Sequence, residues 1–409
     1  MTMKLPASRE DAIALDANDP LRHARTHFAL DEGLIYLVGH SLGPATRSAL
    51  DAVSEAATVE WRQGLVRSWN SAGWFDLARA VGTRIARLIG AGDNEVIIAD
   101  SVTTNLFKLA AAARSLARHE LLIVEEDEFP TDQYVIESLS QLAGTDFVRA
   151  APGRGIETMA KTGGVLVKSA VNYRTAEVAD IRTAETQART AGGVIVWDLS
   201  HATGVLDIDL KSSGAIFAAG CTYKYLNGGP GAPAFAYVGS DVVSRITSPL
   251  PGWMGHARPF DFDPRYEPAA DIGRFANGTP PILSLRALDG ALNAFEGLHM
   301  RDVQTKANQL GDLVLARTEA MGLRSTSPPI DAMRGGHVSV THMDGYGIVQ
   351  ALMAAGVVTD FRAPDTIRFG LSPLFLSFVE VWDSMDALER ILDTGEYRQP
   401  QYQQRATVT

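Results

Sequence analysis

The feature that most constrains the fold is a set of short segments that are apolar almost without interruption. LLIVEE (121–126), GVLVKSAV (164–171), GGVIVWDLS (192–200), GAIFAAG (214–220) and PAFAYVG (233–239) are each only a strand long. A strand with one wet face alternates apolar and polar side chains. These do not, so each is expected to be covered on both faces. Helical segments, 101–117 and 176–190 among them, lie between these runs, and strands alternating with helices build a mostly parallel, doubly wound α/β sheet. A polar arm and amphipathic helices around 46–62 and 75–90 come before it. From about residue 300 the rhythm changes to helix 301–321, strand 337–342, helix 345–355, strand 366–372 and helix 378–393. That pattern reads as a separate, smaller α+β unit.

Composition removes several functions. The net charge of −11 disfavours nucleic acid or an anionic membrane as the main partner. A single cysteine, Cys221, excludes an internal disulfide and any multi-cysteine metal site, and no metal is expected. No run nears 18 uninterrupted apolar residues, and MTMKLPASREDAIALDANDP lacks a hydrophobic signal core. A soluble, cytoplasmic protein is therefore expected.

In an open parallel sheet, ligands bind beyond the carboxyl ends of the strands. The residues standing there are Asp127, Glu128 and FPTD after the first run, Asn172 and Tyr173 after the second, Asp198 and His201 after the third, and Thr222, Tyr223 and Lys224 after the fourth. Each alone reads as a polar strand cap. Their convergence on one sheet edge points to a site, and Asp198 with Lys224 makes the most specific pair. Pyridoxal phosphate needs a lysine amine for its Schiff base and an acid beside its pyridine nitrogen. Residues 100–105, DSVTTN, open a helix whose hydroxyls and free N–H groups suit the phosphate, and Tyr223 adds a phenolic donor. The glycines of GCTYKYLNGGPG (220–231) allow a tight turn away from such a group, and Tyr225 within it has no expected role beyond packing.

Nine pieces make the pattern specific: YLVGHSLG (36–43), RSWNSAGW (67–74), DSVTTNLFK (100–108), FPTD (129–132), WDLSH (197–201), CTYKYLNGGPG (221–231), GWMGH (252–256), NGTPPILSL (277–285) and RFGLSPLF (368–375). In that order they resemble kynureninase of the bacterial form, a family of fold-type I pyridoxal phosphate enzymes, over residues ~30 to ~375. The resemblance implies a fold-type I arrangement: an arm at 1–45 that contributes to the small domain and the active site, a large cofactor-binding α/β domain at 46–295, and a small α+β domain at 296–409. It implies hydrolysis of the Cβ–Cγ bond of L-kynurenine to anthranilate and L-alanine in tryptophan catabolism, by a homodimer with active sites at the interface. The choice between kynurenine and 3-hydroxykynurenine stays open.

The resemblance also implies roles. Lys224 carries the cofactor and moves the substrate's Cα proton, Asp198 pairs with the ring nitrogen, and Tyr223 serves as phosphate ligand and general acid–base. His201 sits near the cofactor, Phe129 stacks on its ring, and Asp132 and Ser169 contact its polar substituents. Val102 and Thr103 hold the phosphate through their backbone. Trp253 and Thr279 reach the phosphate of the other subunit. Arg368 grips the substrate α-carboxylate as a bidentate fork, Ser41 is a further substrate contact, and Trp69 and Trp74 form an aromatic wall. Ordinary packing is the competing reading for Tyr223, Trp253, His201 and Trp61. Two positions depart from the family's spelling: His40 stands where an asparagine is usual, and Phe375 replaces a tyrosine. The rival is another fold-type I enzyme, an aminotransferase or a desulfurase-like lyase. A desulfurase needs a mobile catalytic cysteine, which Cys221, three residues before the lysine, is badly placed to be.

Overall fold

The computed structural model describes residues 5–405. Residues 1–4 of the expected arm and 406–409 at the far end lie outside the described residues. The first strand, β1 (Ile35–Tyr36), is short and finds its partner late in the chain. The central sheet comprises β2 (Val96–Ile98), β3 (Leu122–Glu125), β4 (Phe147–Ala150), β5 (Val165–Ser169), β6 (Val194–Asp198), β7 (Phe217–Gly220) and β8 (Phe235–Val238). Their order is β2-β8-β7-β6-β5-β3-β4. β8 pairs antiparallel with both β7 and β2, and every other pairing is parallel, so β8 alone runs against its neighbours. The doubly covered strands are buried throughout β2, β3, β6, β7 and β8, as their unbroken apolar spelling requires. β4, at the sheet edge, tolerates an exposed Arg149.

Strands β2 and β4 were not expected from the sequence; one has three residues and the other carries a charge. Helix 181–191 starts later than expected for a local reason. Asn172 Oδ1 accepts the N–H groups of Arg174 and Thr175, which folds the preceding residues into a turn. Asp180 then caps the helix by accepting the Thr183 N–H at 3.0 Å. The expected helix at 46–62 is regular only over Arg47–Glu55, then widens into π-type turns over Ala56–Gly64.

The C-terminal part holds β9 (Arg324–Ser325), β10 (His337–Thr341), β11 (Val357–Val358), β12 (Asp360–Arg362) and β13 (Thr366–Gly370). Four of these form an antiparallel sheet in the order β12-β13-β10-β9, while β11 pairs in parallel with β1. Helices Met300–Ala320, Gly345–Ala354 and Phe378–Thr394 cover it. The N-terminal segment is bound to this part. Asp16 accepts the first N–H groups of helix 378–394 from Phe378 and Val379, at 2.6 and 3.0 Å, a favourable place for an anion. Lys306, buried, holds Asp19 at 2.6 Å.

Candidate active site

At the carboxyl ends of β5, β6 and β7 the register sets Ser169 beside Asp198 and Asp198 beside Ala219. The chain after β7 makes a tight loop: Asn227 N–H returns to Lys224 O at 2.9 Å, and Gly228 N–H to Thr222 O at 2.9 Å. That loop is pressed against the N-terminal segment. Gly43 N–H donates to Tyr223 O at 2.8 Å, and a Cβ on Gly43 would stand 2.2 Å from Lys224 O. Only glycine allows this approach, which anchors the backbone of the lysine.

These elements enclose a cavity of about 380 Å³. It is lined by Lys224, Tyr223, Asp198, His201, Asp132, Phe129, Ser169, Val102, Thr103, Ser41 and Arg368, all expected from the sequence. Val102 and Thr103 open helix Val102–Ala113, whose cap Ser101 accepts the Thr104 N–H. The first-turn N–H groups of a helix have no internal partner, so they face the cavity as donors for an anion. Phe129 is 44% exposed and stands edge-on to Tyr173 at 5.2 Å, which leaves ring surface open.

Burial sets the electrostatics. Asp132 is raised well above the usual carboxyl range, first by burial and then by the neighbouring Asp198. Asp198 is raised too, by burial, but its Oδ1 accepts the Ser200 N–H at 2.8 Å and Lys224 opposes the shift. Two carboxyls in one dry site share a proton, and Asp132 holds it, which leaves Asp198 as the anion. His201 is driven well below its ordinary value by burial and then by Lys224, so it is neutral. Burial raises the Tyr223 hydroxyl, keeping it protonated.

The cavity suits a flat, phosphorylated aldehyde. Asp132 Oδ2, His201 Nδ1 and Arg368 Nε are buried with no hydrogen-bond partner, an unusual number of orphaned polar atoms around one space. With the Lys224 amine and the helix N-terminus, Asp132 Oδ2 and His201 Nδ1 fit the donors and acceptors of pyridoxal phosphate, and Arg368 Nε is left for a further ligand. Desulfurase chemistry does not fit: Cys221 is 3% exposed on its strand end, and burial raises its thiol.

Four expected residues lie elsewhere. Thr279 lines an adjoining cavity of about 360 Å³ that shares Asp100 and Gly231 with the first. Trp253 is 37% exposed and meets Trp69 at 6.5 Å. Trp74 is buried with its Nε1–H on Glu60 Oε2 at 2.6 Å. Neither Trp69 nor Trp74 lines this chain's own cavity: Glu60 holds the Trp74 indole in the packing, and Trp69 stands edge-on to it at 5.9 Å.

The expectation for Arg368 also needs correction. Its guanidinium is 1% exposed; Nη2 is bonded to Asp360 and Nη1 donates to Tyr173 O at 2.8 Å. A buried guanidinium requires an anion, and Asp360 supplies it from inside the protein. Nε has no partner and each terminal nitrogen already has one, so the fork is not presented as a free pair. The residues that sequence reasoning missed cluster here: Asp360, Arg362, which lines the cavity, and His337, stacked on His40 at 5.3 Å. Their alternation within β12 and β10 carried no signal beyond that of ordinary edge-strand polarity. Gly370 in the RFG segment does have a visible reason, since a Cβ there would lie 2.0 Å from His40 Nδ1.

Among the described residues, no helix is long and apolar enough to cross a membrane, and no group of three or more His, Cys, Asp or Glu side chains could hold a metal ion.

A family profile described as the kynureninase C-terminal domain matches residues 303–388. The chain is 40% identical to a kynureninase of Pseudomonas fluorescens, covering 98% of this chain and 100% of that one. It is 41% identical to a kynureninase of Burkholderia mallei, with the same coverage of each chain. Among solved structures, a cysteine desulfurase from Thermococcus onnurineus superposes with a TM-score of 0.78 at 16% identity, covering 96% of this chain and 99% of that one. At that identity the likeness speaks for the fold-type I architecture alone.

Proposed function

The chain belongs to the kynureninase family, and from that premise we propose that it is a pyridoxal phosphate-dependent hydrolase cleaving the Cβ–Cγ bond of L-kynurenine to anthranilate and L-alanine. The observation that carries the reading is the meeting of Lys224, Asp198, Tyr223 and a helix N-terminus around one cavity with unsatisfied buried polar atoms. When bound, pyridoxal phosphate supplies an electron sink conjugated to the substrate's Cα.

The protein's own groups do the rest. Lys224 tethers the cofactor and takes and returns the proton at Cα. Asp198 would hold the proton on the pyridine nitrogen, Asp132, His201 and Ser169 would orient the ring, and Phe129 would offer it a stacking face. Val102 and Thr103 N–H groups, with Tyr223, hold the phosphate. The Tyr223 hydroxyl, kept protonated by burial, gives its proton to the γ-carbonyl oxygen as water adds and takes one back from that water; it then removes a proton from the hydrate as the Cβ–Cγ bond opens and passes it to Cβ. Arg368 and Ser41 fix the α-carboxylate.

The assembly proposed is a cytoplasmic homodimer, with the single cysteine consistent with a reducing compartment. An exposed aromatic belt supports the second copy. Phe260 and Phe262 are 57% and 79% exposed, and Trp253 meets Phe260 at 5.8 Å. Such a contiguous patch is seldom left wet on a monomer. Trp253, Thr279 and Trp69, which lie outside this chain's own cavity, are proposed to serve the second copy's site, while Trp74 stays in the packing on Glu60. The domain division into 1–45, 46–295 and 296–409 is likewise a proposal, supported by the separate C-terminal sheet.

The test is direct. Purified holoenzyme with L-kynurenine should release anthranilate and L-alanine in equal amounts, and Lys224→Ala should lose the cofactor's absorbance band and all measurable turnover. Turnover that instead required an oxo acid would favour an aminotransferase and sink the reading.

A further inference from the structure

At the wall formed by β12 and β13, one carboxylate serves three cationic or titratable partners. Asp360 Oδ2 pairs with Arg368 Nη2, with Arg362 Nη2 at 3.1 Å and with His40 Nε2 at 3.4 Å. The two guanidiniums differ in what they have left. Arg368 is wholly buried, and each of its terminal nitrogens already has a protein partner. The Arg362 side chain is 38% exposed, lines the cavity, and has Asp360 as its only ion-pair partner among the described residues. Its remaining N–H donors are therefore the ones available to a ligand.

The charge count at this wall points the same way. The imidazoles of His40, His201 and His337 are neutral, pushed down first by burial. Two guanidiniums against one carboxylate leave one uncompensated positive charge beside the cavity. One carboxylate monoanion would neutralise it. With Arg362 removed, Arg368 and Asp360 would cancel and the wall would hold no net charge for a ligand.

We propose that Arg362 is a second binding residue for the substrate α-carboxylate, held against Arg368 by their shared partner Asp360. The carboxylate is then received by Arg368 Nε on one side and by the free edge of Arg362 on the other. This rests on the reading that the cavity takes an amino acid, and the test separates the two claims. L-Alanine and L-alaninamide differ only in the carboxylate, so the ratio of their dissociation constants, measured by calorimetry on the holoenzyme, reads that contact alone.

Wild-type enzyme should prefer alanine, and Arg362→Gln should cut that preference about tenfold, the effect of losing one charge-assisted contact. In the same variant KM for L-kynurenine should rise about as much, with kcat within roughly threefold of wild type. Arg362→Lys, which keeps the charge and the pairing with Asp360, covers the case in which the glutamine variant does not fold. Its preference should fall about threefold, since an ammonium cannot present two N–H groups in a plane. An unchanged ratio in the folded variants would overturn the assignment. Absence of kynurenine turnover by wild-type enzyme would instead sink the functional reading and leave the alanine series to judge Arg362.

Discussion

His40 and Glu128 are two titratable side chains that the interior holds in their neutral forms, and they bend stability in opposite directions with pH. Burial, and then Arg368, pushes the His40 imidazole down to about 4. Between pH 6.5 and 4 the unfolded chain binds this proton and the folded one does not, so stability is lost as pH falls through that window, by up to about 3 kcal/mol. Glu128, under Ser169 with its Oε1 accepting that residue's N–H at 3.0 Å, is raised by burial to about 7. There the folded chain holds the proton longer, so stability declines as pH rises from about 4.5 to 7. Denaturant titrations across pH should therefore find that His40→Gln removes the acid-side loss and Glu128→Gln the opposite one; parallel curves would refute both. Tyr223→Phe is expected to retain the cofactor's absorbance while lowering kcat by roughly 10²–10⁴-fold.

Legibility at this scale followed chain position. Lys224, Asp198 and Asp132 were readable because each stands where an apolar run or a helix start puts it in a known place. Asp360 was not, since nothing in DFRAPDTIRFG says that an aspartate will accept from arginines two and eight residues away. The same blindness to partners turned Trp74 into an expected substrate wall, when Glu60 had a stronger hold on its indole.

Among the elements, helix Val102–Ala113 has the most to do, because its open end forms one wall of the cavity. Its cap is a single hydroxyl, Ser101 Oγ, which accepts from Thr104 at 3.3 Å. Ser101→Ala should lower stability by about 1 kcal/mol and, by loosening the first turn, speed loss of cofactor on dialysis; unchanged retention at lowered stability would limit Ser101 to capping. The buried strands and the long C-terminal helices were legible because periodicity survives over their length. Three-residue β2 and edge strand β4 had too few residues for a pattern. The turns at 56–64 defeated the reading differently. Their sequence remains helix-forming, and only the three-dimensional setting, with Ser68 Oγ donating to Glu60 O at 2.6 Å, widens them.

For the whole molecule, the aromatic belt yields the clearest expectation. Phe260→Asp with Phe262→Asp should convert a dimer to a monomer in light scattering and depress turnover, because Trp253 and Thr279 would no longer meet a second cavity; a monomeric wild type would remove the premise. The fold class was legible from strand spelling alone, whereas the joining of the two ends of the chain was not. β1 pairs with β11, Gly370 N–H reaches Leu37 O, and Arg25 is paired with Glu380 at 2.7 Å. These contacts link residues more than 300 positions apart, beyond the reach of any local pattern.

That joining has a consequence for how the protein is made. A nascent chain that has left the ribosome as far as Val238 already contains every strand of the central sheet, along with Lys224 and Asp198. It still lacks the strand that β1 must pair with and both guanidiniums at the cavity wall. β1, synthesised early, must therefore wait for the last quarter of the chain before it can pair. The sheet edge that carries Lys224 and Asp198 is thus encoded well ahead of the wall that carries Arg362 and Arg368.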